Sequence, residues 1–423
     1  MRSRAAIVLA CAVGLTLSSK PGAASPVSSS QPATTMTRPQ ALQVQPAAAV
    51  QRANALALDI YRAAAANKAD NLALSPLGIE AAVVAMNAGA RGVTAEEMNA
   101  LVRAPGSAGQ ASQDAFDAYA DVLAPGSRNG SFTLDLSTRI WAQQGVTIDP
   151  GYVSSCARLH CEPPAVVDFH QPDAVVRNVN DWIATKTNHR IERLIDQKSI
   201  DPRMQLLLGN AVYFKASWMS KFLPARTEQA DFFVDEKTTA RVPMMHSAIE
   251  TFGYASFPDC EVVQMQYEQP SNLTFVVVLP KQSVGLAALE QKLTRATWDD
   301  WMGGLRAHPV DLYLPRFKAQ SRLSLGQVLT SLGMKHAFTA DADFTGLVQK
   351  PGVFFSDMFH GASVEIDEQG TVAAAATITA FVMAAPGAQQ EKPVVFRADR
   401  PFVYAIRDRR NGALMFVGHV TKP

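Results

Sequence analysis

An α+β fold is predicted by three observations on this chain. Apolar residues recur at helical spacing through much of the first half, notably over residues 49–65, 79–102 and 174–194. Later stretches, 271–279, 310–314 and 412–420, are rich in β-formers, and several are bounded by Gly or Pro. The 423 residues are 48% hydrophobic and 18% charged, enough apolar material for a sizeable core. Together they describe a large sheet supporting a layer of helices.

The chain opens with an export pattern. Arg2 and Arg4 supply positive charge, residues 5–17 form an apolar run too short for a mature anchor, and Gly22-Ala23-Ala24 is a small-residue cleavage site. Residues 1–24 therefore read as a signal peptide and the mature chain as secreted or periplasmic. The alternative is a lipoprotein signal with Cys11 lipidated. Residues 25–49 are rich in Ser, Pro, Gln, Thr and Ala without hydrophobic periodicity, the composition of a disordered linker. Folded sequence begins near residue 50. The helix over 49–65 comes first, and Gly89 and Gly92 place a break inside the helical stretch 79–102.

Formal net charge is +1, with 39 Lys+Arg against 38 Asp+Glu, so nothing points to nucleic acid or an anionic surface. The helical stretch 112–123 carries three Asp and no Lys or Arg, which argues against a heparin-like cofactor there. Removal of the leader would leave Cys156, Cys161 and Cys260. A Cys156–Cys161 disulfide, a metal set including His160, and free thiols are the three readings. Two thiolates and one His within six residues lack the spacing of a structural zinc site, so no metal is expected. Enzyme signatures are missing as well: no G-x-S-x-G elbow, no H-E-x-x-H and no Walker loop.

The most informative stretch is Glu368-Gln369-Gly370-Thr371-Val372-Ala373-Ala374-Ala375-Ala376-Thr377. On composition alone it reads as an alanine-rich linker or helix, since Ala is the best helix former, and its alternate positions Thr371, Ala373, Ala375 and Thr377 all carry small side chains. Other blocks accompany it in order: Asn71-Leu72-Ala73-Leu74-Ser75-Pro76-Leu77-Gly78-Ile79; Asn180-Asp181-Trp182 with Thr187 and Ile191; and Asn210-Ala211-Val212-Tyr213-Phe214-Lys215-Ala216-Ser217-Trp218 with Phe222. Then come Val242-Pro243-Met244-Met245, Leu314-Pro315-Arg316-Phe317, Asp343-Phe344-Thr345-Gly346, and Pro401-Phe402 leading to Phe416-Val417-Gly418. Across residues 50–423 this order resembles the serpin family of serine protease inhibitors, in its secreted bacterial, inhibitory form.

The resemblance implies one serpin domain over 50–423, with a large central mixed sheet, additional sheets, a helical layer and an exposed reactive-centre loop at about 368–395. It also implies three groups of residues. Ser75, Asn210 and His360 match a shutter between the central strands, with Gly78 standing where a second serine is expected. Trp218, Arg316 and Glu368 match the breach where the loop enters. The hinge is Glu368, Gly370, Thr371, Ala373, Ala374, Ala375, Ala376 and Thr377.

In the family the scissile bond usually follows the sixteenth residue after the hinge glutamate, which here gives Ala384-Ala385, with Phe381, Val382 and Met383 filling the preceding subsites. A small primary residue with apolar neighbours suits an elastase-like or subtilisin-like serine protease. No Arg or Lys occurs between Gly370 and Glu391, which disfavours a trypsin-like one. The segment 385–400 is longer than usual, so Met383-Ala384 and Phe381-Val382 stay open as alternatives. The implied activity is suicide inhibition: a covalent acyl complex with the target protease, trapped when the cut loop inserts. The protein is expected to be a monomer that needs no cofactor and is not itself an enzyme. The rival reading is a non-inhibitory serpin serving as a binding or carrier module.

Overall fold

The computed structural model describes residues 48–66, 70–102, 132–158, 161–371 and 392–423. The leader 1–24, nearly all of the linker, the stretch 112–123, His160, the hinge residues Ala373 to Thr377 and the bait residues Phe381 to Ala385 lie outside them.

Helix α1 (Ala48–Ala65) leads into strand β1 (Leu72–Leu74), and Ser75 then caps α2 (Pro76–Gly89). Ser75 is a fitting N-cap because its hydroxyl accepts from Gly78 N–H while Pro76, at the first helical position, needs no donor partner. Helix α3 (Gly92–Leu101) follows the break expected at Gly89 and Gly92. Next come β2 (Phe132–Gln143), α4 (Pro150–Arg158), β3 (Ala165–Val167), α5 (Pro172–Lys186) and β4 (Leu206–Ser217).

The helical spacing over 174–194 outruns the helix, which stops at Lys186. Asn188 and His189 take positive φ, and the chain turns back. Asn180 Oδ1 accepts the N–H groups of Leu194 and Ile195 at 2.7 and 3.1 Å, so Ile191, Leu194 and Ile195 are buried from an irregular segment rather than from a helical face. The twelve-residue strands β2 and β4 were not anticipated. β4 is buried along nearly its whole length, so it lacks the polar alternation that marks a one-faced strand.

The second half supplies β5 (Glu228–Phe233), β6 (Thr239–His246), β7 (Glu250–Ser256), β8 (Cys260–Gln266), β9 (Leu273–Pro280), α6 (Gly285–Lys292), α7 (Arg295–Gly304), β10 (Arg306–Pro315), β11 (Phe317–Ser324) and α8 (Gly326–Ser331). It ends with β12 (Phe355–Ile366), β13 (Gly370–Thr371), β14 (Val394–Arg397), β15 (Phe402–Asp408) and β16 (Leu414–Val420).

These strands form two sheets, one of ten strands and one of six. The ten-stranded sheet runs β1-β16-β15-β9-β8-β7-β10-β6-β5, with β14 added on β10. The six-stranded sheet runs β11-β12-β13-β4-β2-β3 and is mixed, since β12–β4 and β2–β3 are parallel and the other pairs antiparallel. One apolar cluster, including Phe214, Trp218, Phe275, Phe317 and Phe416, draws its side chains from strands of both sheets. Another joins α1, α2 and α3 to strands of both, and a third seats α5 on the six-stranded sheet through Trp182, Ile183, Trp141 and Leu207. Cys156 and Cys161 form a disulfide, while Cys260 is a free, buried thiol.

Candidate functional site

The central feature of the six-stranded sheet is the seam between β4 and β12. The two strands pair directly and in parallel from Phe355↔Leu206 to Ser363↔Tyr213. Above that point they part, and β13 fills the gap: Thr371 pairs with Ile366 on one side and Ala216 on the other, and Gly370 with Ser217. The start of the hinge thus already lies as a strand at the mouth of the seam. A Cβ at Gly370 would come within 2.1 Å of the Ala216 carbonyl oxygen, so only glycine allows this approach.

Six side chains hold the mouth. Trp218 donates its indole N–H to the Asp367 carbonyl at 2.9 Å and its backbone N–H to the Gln369 carbonyl at 2.8 Å, and its ring stacks on Tyr267 at 4.6 Å. The Tyr267 hydroxyl is 2.7 Å from Thr371 Oγ1, with both residues fully buried. Glu368 accepts from Arg316 Nη2 and from Thr227 Oγ1. Burial alone would raise the Glu368 carboxyl, but the Arg316 and Thr227 hydrogen bonds outweigh it and hold the group below its ordinary value. The structure thus brings Trp218, Arg316 and Glu368 together. Thr227 and Tyr267 went unnoticed in the sequence, where each is a lone residue in no motif.

A buried polar chain crosses the seam lower down. Ser75 N–H donates to His360 Nε2 at 3.1 Å, which places the ring proton on Nδ1, and Nδ1–H donates to Asn210 Oδ1 at 2.8 Å. Asn210 Nδ2 passes the chain on to Thr138 Oγ1 of β2 at 3.0 Å, and Ser75 Oγ donates to the Met415 carbonyl at 2.9 Å. His360 has no exposed surface, and burial pushes its pKa down to about 3. Ser75, Asn210 and His360 are therefore one network, with Thr138 as a fourth member. Gly78 leaves no hole: a Cβ there would lie 2.5 Å from Val212 Cγ2 and 2.7 Å from Asn210 Oδ1, so neighbouring side chains already fill the space a serine would take.

Among the described residues, no cluster of His, Cys, Asp and Glu is arranged to hold a metal ion. A two-residue strand thus stands at the mouth of a closed seam, above a buried polar network. The family model for serpins, serine protease inhibitors, matches residues 51–423, and the chain belongs to this family.

It is 31% identical to the leukocyte elastase inhibitor of Sus scrofa, over 83% of this chain and 92% of that protein. It is 34% identical to Iripin-2 of Ixodes ricinus, over 82% of this chain and 87% of the other. Human thyroxine-binding globulin, solved in complex with thyroxine, superposes with a TM-score of 0.79 at 26% identity, covering 89% of this chain and 98% of that one. Serpins are mostly protease inhibitors, though the family also includes members that are not.

Proposed function

We propose that this chain is a suicide inhibitor of serine proteases. The observation that carries the reading is the hinge: Thr371 is already paired with Ile366 on one side and Ala216 on the other at the head of the β4–β12 seam, Gly370 is paired with Ser217, and the residues from Ala373 to Thr377 are small. A cut beyond Thr377 would free that segment to continue downward as a new central strand. The protease serine attacks the Ala384 carbonyl and forms an ester, the Ala385 amine leaves with a proton, and the loop inserts with the protease still attached. About fifteen inserted residues at roughly 3.3 Å each displace the protease on the order of 50 Å. The bait Phe381-Val382-Met383-Ala384 suits an elastase-like or subtilisin-like target. Trp218, Arg316 and Glu368 control entry at the breach, while Ser75, Asn210 and His360 exchange partners as the strands part. The chain is exported, with residues 1–24 removed and 25–49 left as a tether; the Cys156–Cys161 disulfide suits an oxidising compartment.

The test is incubation of the mature chain with elastase, subtilisin, chymotrypsin and trypsin, followed by denaturing gel and mass spectrometry. A denaturant-resistant adduct and a released peptide starting at Ala385 are expected. Cleavage by every protease without an adduct would favour a binding or carrier role, as in the thyroxine-binding relative.

A further inference from the structure

Beside the mouth of the seam stands a methionine that the site above does not use. Among the described residues Met219 is the only exposed methionine, at 55%; Met204 and Met302 are half-buried and the others are buried. It directly follows Trp218, and it lines a small hollow of about 30 Å³ with Ser220, Thr251, Phe252, Gln264, Met265 and Gln266. Phe252 and Met265, at 7% and 1% exposure, are the apolar part of that lining. The side chains of Ser220, Thr251, Gln264 and Gln266 are the polar part, and none of them has a hydrogen-bond partner among the described residues.

The backbone at this point is a narrow ribbon held on both edges. On one edge the Ser217 carbonyl accepts from Glu268 N–H at 2.8 Å, and Met219 N–H donates to the Gln266 carbonyl at 2.9 Å. On the other, Trp218 N–H donates to the Gln369 carbonyl of the hinge at 2.8 Å. A change in how Met219 sits against the hollow therefore acts one residue away from the hinge contact.

We propose that Met219 is an oxidation site through which peroxide loosens the mouth of the seam. The thioether sulfur attacks one oxygen of hydrogen peroxide, an S–O bond forms as the O–O bond breaks, and the departing hydroxyl takes the remaining proton and leaves as water. Sulfur loses two electrons and peroxide gains them. The product is a polar sulfoxide where an apolar thioether had met Phe252 and Met265. Its oxygen is a hydrogen-bond acceptor, and the hollow offers it the unpartnered amides of Gln264 and Gln266 and the hydroxyls of Ser220 and Thr251. Drawn to these donors, residue 219 gives up apolar contact, and the ribbon that holds Gln369 loosens. This loosening belongs to the mouth as it stands; under the inhibitory reading above, a looser mouth takes up a strand faster.

The experiment treats the mature chain with dilute hydrogen peroxide and maps the added oxygen by mass spectrometry. Amide hydrogen exchange over residues 216–220 and uptake of a synthetic peptide spanning residues 368–382 are measured before and after. Oxygen should appear on Met219 ahead of Met204 and Met302. Exchange over 216–220 should then rise about fourfold, the scale of losing one methylene of apolar cover, and peptide uptake by a similar factor. Met219→Leu keeps the volume and cannot take up oxygen, so its rates should not change on treatment. Oxidation at Met36 or Met383, which both chains carry, cancels in that comparison. Met219→Gln, polar without any oxidant, should exchange faster from the start. Oxygen on Met204 or Met302 ahead of Met219 would overturn the site. Oxygen on Met219 with exchange over 216–220 unchanged would overturn its link to the hinge. If the chain takes up no peptide in either state, the inhibitory reading fails, while the exchange rates still settle whether Met219 governs the mouth.

Discussion

The imidazole of His360 and the amide of Asn210 meet across the seam between β12 and β4, Nδ1 to Oδ1 at 2.8 Å, and under the proposed inhibitory mechanism these are the two strands that part. With Nε2 accepting from Ser75 N–H, the ring has to be neutral, since a second ring proton would face a donor.

That geometry makes stability depend on acid. The pKa of His360 is about 3 in the folded chain, against about 6.5 when unfolded, so between these values the unfolded chain binds more protons and stability rises with pH. The contribution is complete above pH ~6.5 and is lost as pH falls toward 3, at up to about 1.4 kcal/mol per pH unit. Tm measured from pH 8 to 4 should show this slope below pH 6.5, and His360→Gln should flatten it. An unchanged slope in His360→Gln would assign the acid sensitivity elsewhere.

At the mouth of the seam, Arg316 is half exposed, with 49% of its side chain accessible, while Glu368 keeps only 8%. Arg316→Ala should leave Glu368 with Thr227 as its remaining side-chain partner and cost about 1 kcal/mol, because solvent screens the open side of the pair. The larger effect should be kinetic. With the hinge glutamate unpaired, uptake of a loop peptide should accelerate and heating should yield more polymer, measured by native gel. Glu368→Lys, which puts two cations together, should show both changes more strongly.

Gly78 lends itself to a substitution toward the family pattern. Gly78→Ser should destabilise the chain by about 1–3 kcal/mol, because its Cβ would collide with Val212 and Asn210. Val212→Ala in the same chain should recover part of that loss by removing the Cγ2 atom the serine meets. Denaturant midpoints of the two single variants and the double would show it.

How legible a residue was depended on whether its constraint is local. The break at Gly89 and Gly92 was legible because it is a property of the neighbouring chain. Asn210, His360 and Glu368 were found by motif order alone, since nothing in their own surroundings says that residues 150 and 52 positions away complete them. Thr138, Thr227 and Tyr267 sit in no motif and act only through partners distant in sequence. The end of α5 was misread for a related reason: Ile191 and Leu194 continue the apolar pattern, but positive φ at Asn188 and His189 delivers them by a turn.

The fit of α5 over Gly361 makes a prediction about packing that two substitutions can separate. Gly361→Ala places a methyl 2.5 Å from Ile183 Cδ1 and within 3.3 Å of the Ile191 and Leu194 methyls, in a cluster with no exposed surface at Ile183 or Ile191 to yield into. It should cost about 1–3 kcal/mol by overpacking. Ile183→Val, which removes the colliding Cδ1, should cost about 0.5–1.5 kcal/mol alone through the lost methyl. Combined, the two should be less destabilising than their sum, because the shorter side chain leaves room for the new methyl. A coupling of about 1 kcal/mol in a double-mutant cycle would place Ile183 directly on the β12 side of the seam. Strict additivity would mean that Ile183 does not bear on Gly361 and that α5 is seated on the sheet by its other contacts.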